Sequence, residues 1–203
     1  MLSTWQEGFR RDRGCGRQLR FLKRILEDAQ LHHNDLYLLS VDFRSAFNSV
    51  DQPCLYHIMA QLGIPQDAIA VVQGIYAGAT TQFTCGAGNT TKTPVRRGTI
   101  QGDVLSPLLF LLALESLLRW LEVGGRGYRF GSTPADQPLT VPAGAYADDL
   151  NVLKGDLADM RRQITKIESF GTWLSLGVAP NKCSLPGILH RSASSFKLGT
   201  RAK

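Results

Sequence analysis

The chain has 203 residues, 43% of them hydrophobic and 20% charged, with a formal net charge of +6 and a mean hydropathy of −0.09. A chain of this length buries roughly 70% of its unfolded surface, so one domain forms without a disulfide or metal staple. The composition is that expected of a soluble globular protein and excludes a disordered one. In chain order, Gln18–Ala29 sets Leu19, Leu22, Ile25, Leu26 and Ala29 at helical spacing and predicts a helix with that face inward. Leu36–Val41 is an almost unbroken apolar run ending at Asp42, the pattern of a strand buried on both faces. Asp51 and Pro53 open a helix with Leu55, Ile58, Met59 and Leu62 inward and Gly63 as its stop. Ile69, Val72, Ile75 and Tyr76 predict a further short helix, and Thr80–Thr84 with Thr90–Val95 a hairpin across Gly86–Asn89.

Gly98–Ser106 reads as a polar loop, with Pro107 in the first turn of a long apolar helix. That stretch, Val104–Leu121, contains Glu115 and Arg119 and falls short of the ~20 uncharged residues of a membrane span. Ala143–Ala147 and Leu150–Leu153 predict a second hairpin centred on Asp148-Asp149. Asp156 caps a helix that turns Leu157, Met160, Ile164, Ile167 and Trp173–Leu174 inward and closes at Gly177, and Lys182–Leu185 predicts a last strand. Hairpins interleaved with helices imply a mostly antiparallel sheet half covered by helices. No secretory leader opens the chain, and Cys15, Cys54, Cys85 and Cys183 have no paired spacing, so the expectation is reduced thiols in an intracellular protein. The basic excess lies in residues 1–30 and 92–203 and flanks a net-acidic stretch over 31–91, a distribution that suits a polyanionic partner without requiring one.

Two acidic sites fall where strands end, Asp42 and Asp148-Asp149. If they meet, their use is to hold divalent cations: Mg²⁺ takes carboxylate oxygens and leaves positions for water and phosphate, and bare neighbouring carboxylates repel. With twelve aspartates in the chain, one adjacent pair is an ordinary occurrence, and Asp favours turns without any metal. Neighbours on a regular strand also point to opposite faces, so only a tight hairpin aims both at one place.

Tyr146-Ala147-Asp148-Asp149 resembles the Y-x-D-D box of reverse transcriptases, Val41-Asp42-Phe43-Arg44-Ser45-Ala46-Phe47 their first catalytic motif, and Arg97–Phe110 the R-G-x-x-Q-G-x-x-L-S-P-L-L-F block between them. Leu114–Trp120 and Gln6-Glu7-Gly8-Phe9-Arg10 are similar to the non-LTR (LINE-like) retroelement enzymes; Asn181-Lys182-Cys183 resembles their next motif and Phe196-Lys197-Leu198-Gly199 the start of the one after. The resemblance implies an α/β (α+β) polymerase palm, a mostly antiparallel sheet backed by helices, with partial fingers and no thumb. Residues 1–35 and 52–98 would be fingers-like, 36–51 and 99–190 palm, and 191–203 the start of the primer-grip region.

It also implies an RNA-directed DNA polymerase adding dNTPs to a DNA primer on an RNA template with two Mg²⁺ ions, Mn²⁺ being a substitute. Asp42 and Asp148 would be the main ligands, Asp149 a weaker one, and the Phe43 carbonyl a backbone ligand. Phe47 would fill the space of a ribose 2′-hydroxyl; its plain alternative is a core ring. Gln101 and Gly102 would lie against the nucleotide, or serve a loop turn. Lys182 would protonate the leaving pyrophosphate, or be a solvated strand-end lysine. Arg96 and Arg97 would neutralise backbone phosphates, or be ordinary surface arginines. Tyr146 would pack beside the primer end. Asn48 and Val104 depart from the usual Asp and Pro. The triphosphate-clamping segment, thumb, endonuclease and zinc knuckle are expected outside these residues, so the isolated chain is expected to bind Mg²⁺ weakly and extend primers poorly. The alternatives are a non-catalytic retroelement remnant, a group II intron-type maturase, or a nucleotide cyclase or another palm-fold enzyme, a cyclase having no use for the templating block at Gln101–Pro107. A nucleus is suggested by retroelement ancestry alone.

Overall fold

In the computed structural model, which describes residues 2–86, 88–100, 102–131 and 139–190, the centre is a four-stranded antiparallel sheet ordered β10-β1-β9-β8. Its strands are β1 (Leu36–Val41), β8 (Ala143–Tyr146), β9 (Asp149–Lys154) and β10 (Gly187–Ile188). Helices α1 (Cys15–Leu31), α2 (Ala46–Ser49), α3 (Gln52–Gln61), α4 (Gln66–Ala77), α5 (Ser106–Glu122) and α6 (Leu157–Leu174) surround it. The sheet is buried by alternation. Leu39 and Val41 of β1 and Leu150 and Val152 of β9 enter one core with α3 to α6, including Leu55, Ile69, Leu114, Leu117 and Phe170. Leu36 and Leu153 enter a second core on the other face with Ile25 and Ala29 of α1, Tyr128 and Val141. Period-two side chains on a sheet packed on both sides produce this near-continuous apolar run.

The helix boundaries follow their capping residues. Asp51 accepts the Cys54 N–H at 3.1 Å at the start of α3, and Asp156 accepts the Asp159 N–H at 2.8 Å at the start of α6. Pro107 lies in the first turn of α5, where its missing N–H has no intrahelical acceptor to lose. Among the described residues, no helix is long and apolar enough to cross a membrane.

Several details depart from the sequence reading. Leu19, Leu26, Ile75 and Trp173 are exposed where an inward face was expected, while Gln18 and Asp28 of α1 are buried. Asp28 earns its burial by accepting the Tyr128 hydroxyl at 2.6 Å and the Gly131 N–H at 3.0 Å, bonds that helical spacing does not reveal. The predicted hairpin over 80–95 is broken into two-residue ladders, β2 (Thr80–Thr81) with β5 (Thr93–Pro94) and β3 (Thr84–Cys85) with β4 (Gly88–Asn89). The strand expected over Lys182–Leu185 is a single bridge, Ser40 to Ser184; true pairing waits until β10, because residues 179–183 turn. A ladder of β6 (Tyr128–Phe130) and β7 (Leu139–Val141) was unforeseen. Phe196–Gly199 and the rest of 191–203 lie outside the described residues.

Candidate active site

The register of β1 against β9 pairs Ser40 with Asn151 and Val41 with Leu150, so the next step along both strands sets Asp42 opposite Asp149. Residues opposite each other across an antiparallel pair share a face. By alternation that face is the one carrying Ser40 and Asn151, whose side chains bond at 2.8 Å, and not the face packed on α3 to α6. The second face is covered by α1 at the Leu36 and Leu153 end, and the carboxylates sit at the other end.

The β8–β9 turn is shifted by one residue from the expected centre. Tyr146 pairs with Asp149, so the two loop residues are Ala147 and Asp148, and Asp149 begins β9. Ala147 has φ of +54°, the backbone hand that two-residue hairpins favour and that L side chains resist. Ala147 is buried, Asp148 is half-buried and Asp149 exposed. Desolvation of its carboxyl, then the charges of Asp148 and Asp42, push the Asp149 pKa up. Asp149 thus senses the other two carboxylates, although among the described residues no three His, Cys, Asp or Glu side chains form a preassembled ion cage.

The backbone around Asp42 is tied down by the returning segment after α6. Ala179 N–H donates to the Asp42 carbonyl at 2.9 Å, Arg44 N–H to the Gly177 carbonyl at 2.7 Å, and Asp42 N–H to the Cys183 sulfur at 3.5 Å. Lys182, exposed on the turn, brings its Nζ to 3.6 Å from Asp42 Oδ1. Phe43 is buried and bridges Val178. Phe47 is half-buried, stacked on Phe110 with centroids 4.5 Å apart and edge-on to Phe9 at 6.3 Å. Thr99 N–H donates to the Phe47 carbonyl at 2.7 Å, and Gly98, with φ of +76°, lies so close to Asn48 that a Cβ would come within 2.5 Å of its Cα. The Gly98–Thr99 step is therefore a strap across α2, and only glycine fits it.

Gly102 has φ of +89° and is exposed; Gln101 lies outside the described residues. Tyr146 is half-buried at the end of β8. Arg96 and Arg97 are exposed, and Arg97 lines a groove with Glu168, Thr172 and Val178 beside α6. Cys183, the Ser40–Asn151 pair and Gln6, which bonds to Ala147, carry no chemical signal in the sequence. The Gln6–Arg10 string carried a resemblance, but no local pattern tied it to a turn 141 residues away.

A helix-backed antiparallel sheet with aspartates at one end of adjacent strands is the architecture of a polymerase palm, and the chain belongs to the family described as "Reverse transcriptase (RNA-dependent DNA polymerase)", which it matches over residues 1–188. Among its relatives are the Pol polyproteins of R2 retrotransposable elements, so the chain is a reverse transcriptase domain of the non-LTR retrotransposon type. The protein from R2DM of Drosophila melanogaster is 28% identical over 185 residues, 90% of this chain and 17% of that protein. The R2 protein of Nasonia vitripennis is 26% identical over 188 residues, again 90% of this chain and 17% of the relative. The chain thus spans under a fifth of these relatives. In fold it is similar to the apo telomerase of Candida tropicalis truncated from its C-terminal domain, with a TM-score of 0.67 at 12% identity over 94% of this chain and 37% of that one. It is also similar to telomerase of Candida albicans in complex with a fragment of telomeric RNA, with a TM-score of 0.59 at 11% identity over 91% of this chain and 31% of that one.

Proposed function

We propose that this chain supplies the nucleotidyl-transfer centre of a reverse transcriptase, adding deoxynucleotides to a DNA primer end on an RNA template. The observation that carries the reading is the β1–β9 register, which sets Asp42 across from Asp149 beside Asp148 on the sheet face not packed against α3 to α6. Asp42 and Asp148 would hold divalent cations, with Asp149 as the weaker partner. The donor set fits: the oxygens are hard, and a cation relieves both of the effects that raise the Asp149 pKa, desolvation first and the charges of Asp148 and Asp42 second. A pair of Mg²⁺ or Mn²⁺ ions bound there would supply activation of the attacking hydroxyl and neutralisation of the leaving pyrophosphate.

The other residues take roles the geometry permits. Lys182 stands close enough to Asp42 to orient it, and as an ammonium on an exposed turn it can give a proton to pyrophosphate. Phe47, wedged on Phe110, offers a rigid ring where a sugar 2′-hydroxyl would come. The Phe43 carbonyl, Gln101 and Gly102 would meet the nucleotide, Tyr146 the primer end, and Arg96 and Arg97 template or primer phosphates. The test is Asp148→Asn in the whole polypeptide that carries this chain. Loss of a charge that stabilises the transition state by several kcal/mol lowers primer extension by about 10³-fold or more, with RNA binding retained. Unchanged extension by Asp148→Asn overturns the reading.

A further inference from the structure

We infer that Gln6 is a positioning residue that sets the aim of the Asp148–Asp149 hairpin, an inference that rests on the carboxylate-site reading above. Gln6 is buried, and its side-chain amide clasps both backbone polar groups of Ala147: Oε1 accepts the Ala147 N–H at 2.9 Å and Nε2 donates to the Ala147 carbonyl at 3.1 Å. The same Oε1 accepts the Gly8 N–H at 2.8 Å, so the amide links the N-terminal segment to the turn. Ala147 is the residue with φ of +54°, a conformation that an L-alanine resists and that persists where surroundings over-determine it.

The rest of the segment holds that amide in place. Glu7 N–H donates to the Ala145 carbonyl at 2.8 Å and Ala145 N–H to the Trp5 carbonyl at 2.7 Å, so residues 5–7 run along β8 as an added edge. Ser3 N–H donates to Glu115 of α5 at 2.7 Å, and Glu7 pairs with Arg13 and Arg17, each at 3.2 Å. Gly8 packs so tightly on the turn that a Cβ would stand 2.2 Å from the Ala147 nitrogen. The position of Asp148 is thereby set by a side chain far away in sequence, and groups that orient first-contact ligands typically govern metal affinity or activity by 10–100-fold.

The experiment compares Gln6→Met, Gln6→Glu, Glu7→Gln and Asp148→Asn in the whole polypeptide. It reads Mn²⁺ affinity by electron paramagnetic resonance, melting temperature, and kcat and KM for dNTP. Asp148→Asn defines the part of Mn²⁺ binding that belongs to the site. Gln6→Met weakens that part by about tenfold or more and lowers kcat with little change in KM. Glu7→Gln, which loosens the same segment without touching Ala147, lowers the melting temperature but leaves Mn²⁺ affinity within about twofold. Should Gln6→Met not fold, Gln6→Glu is decisive: it keeps the acceptor for both N–H groups but sets a second oxygen against the Ala147 carbonyl, and it weakens Mn²⁺ by at least about threefold even though its added negative charge by itself favours a cation. The inference is overturned if the Gln6 variants bind Mn²⁺ like the parent, or if Glu7→Gln weakens it equally. If Asp148→Asn itself leaves Mn²⁺ binding intact, the carboxylate-site reading fails, whatever Gln6 does.

Discussion

Phe47 and Lys154 show what single side chains do away from the carboxylates. The Phe47 ring is held between Phe110 and Phe9, so its position is set by packing and not by its own rotamer freedom. Phe47→Val shortens the ring to a branched stub and should raise ribonucleotide incorporation relative to deoxynucleotide by about tenfold or more, a methylene-scale steric loss multiplied over several carbons. Unchanged sugar discrimination in primer extension would return Phe47 to an ordinary core role. Lys154 is buried at the end of β9, its ammonium donating to the Arg126 carbonyl, and burial pulls its pKa from 10.5 down to about 8. Its folded pKa lies below its unfolded one, so between about pH 8 and 10.5 the unfolded chain binds the extra proton and stability rises with pH. Calorimetry at pH 7, 8.5 and 10 should therefore show the parent gaining on Lys154→Met as pH rises.

At the scale of elements, boundaries were legible because they are written locally. Asp51 and Asp156 announce α3 and α6 by a side chain reaching three residues forward, and Pro107 announces α5. Asp51→Ala should cost about 1 kcal/mol in urea unfolding. It should also lower the Cys54 thiol pKa, which burial first and Asp51 second hold up at about 11; alkylation rate against pH reads this. What failed at this scale were weak strands. The 80–95 hairpin splits because its threonines and glycine bury nothing, and β6 and β7 were invisible because three residues each carry too short a period. The β8–β9 turn falls one residue earlier than the sequence predicts, since an alanine at positive φ contradicts local preference and bonds there to Gln6.

For the whole molecule, the decisive feature is a core that joins the sheet to α3 through α6 beneath the site. Phe110 is completely buried at the centre of that layer and carries Phe47 on its face. Phe110→Ala should cost about 3–5 kcal/mol of stability by denaturant titration, and should loosen sugar discrimination along with it because the ring above loses its support. A full stability loss with discrimination intact would separate Phe47 from the core.

The order of elements, the apolar faces of most helices, the capping residues and the three aspartates are legible in the amino-acid string, because each is encoded in residues a few positions apart. That β1 lies against β9 in the register that sets Asp42 opposite Asp149, and that Gln6 clasps Ala147 from 141 residues away, emerges from the packing of the folded chain. Such pairings depend on which faces are left to be buried once all the elements pack together, and no local pattern of residues carries that information.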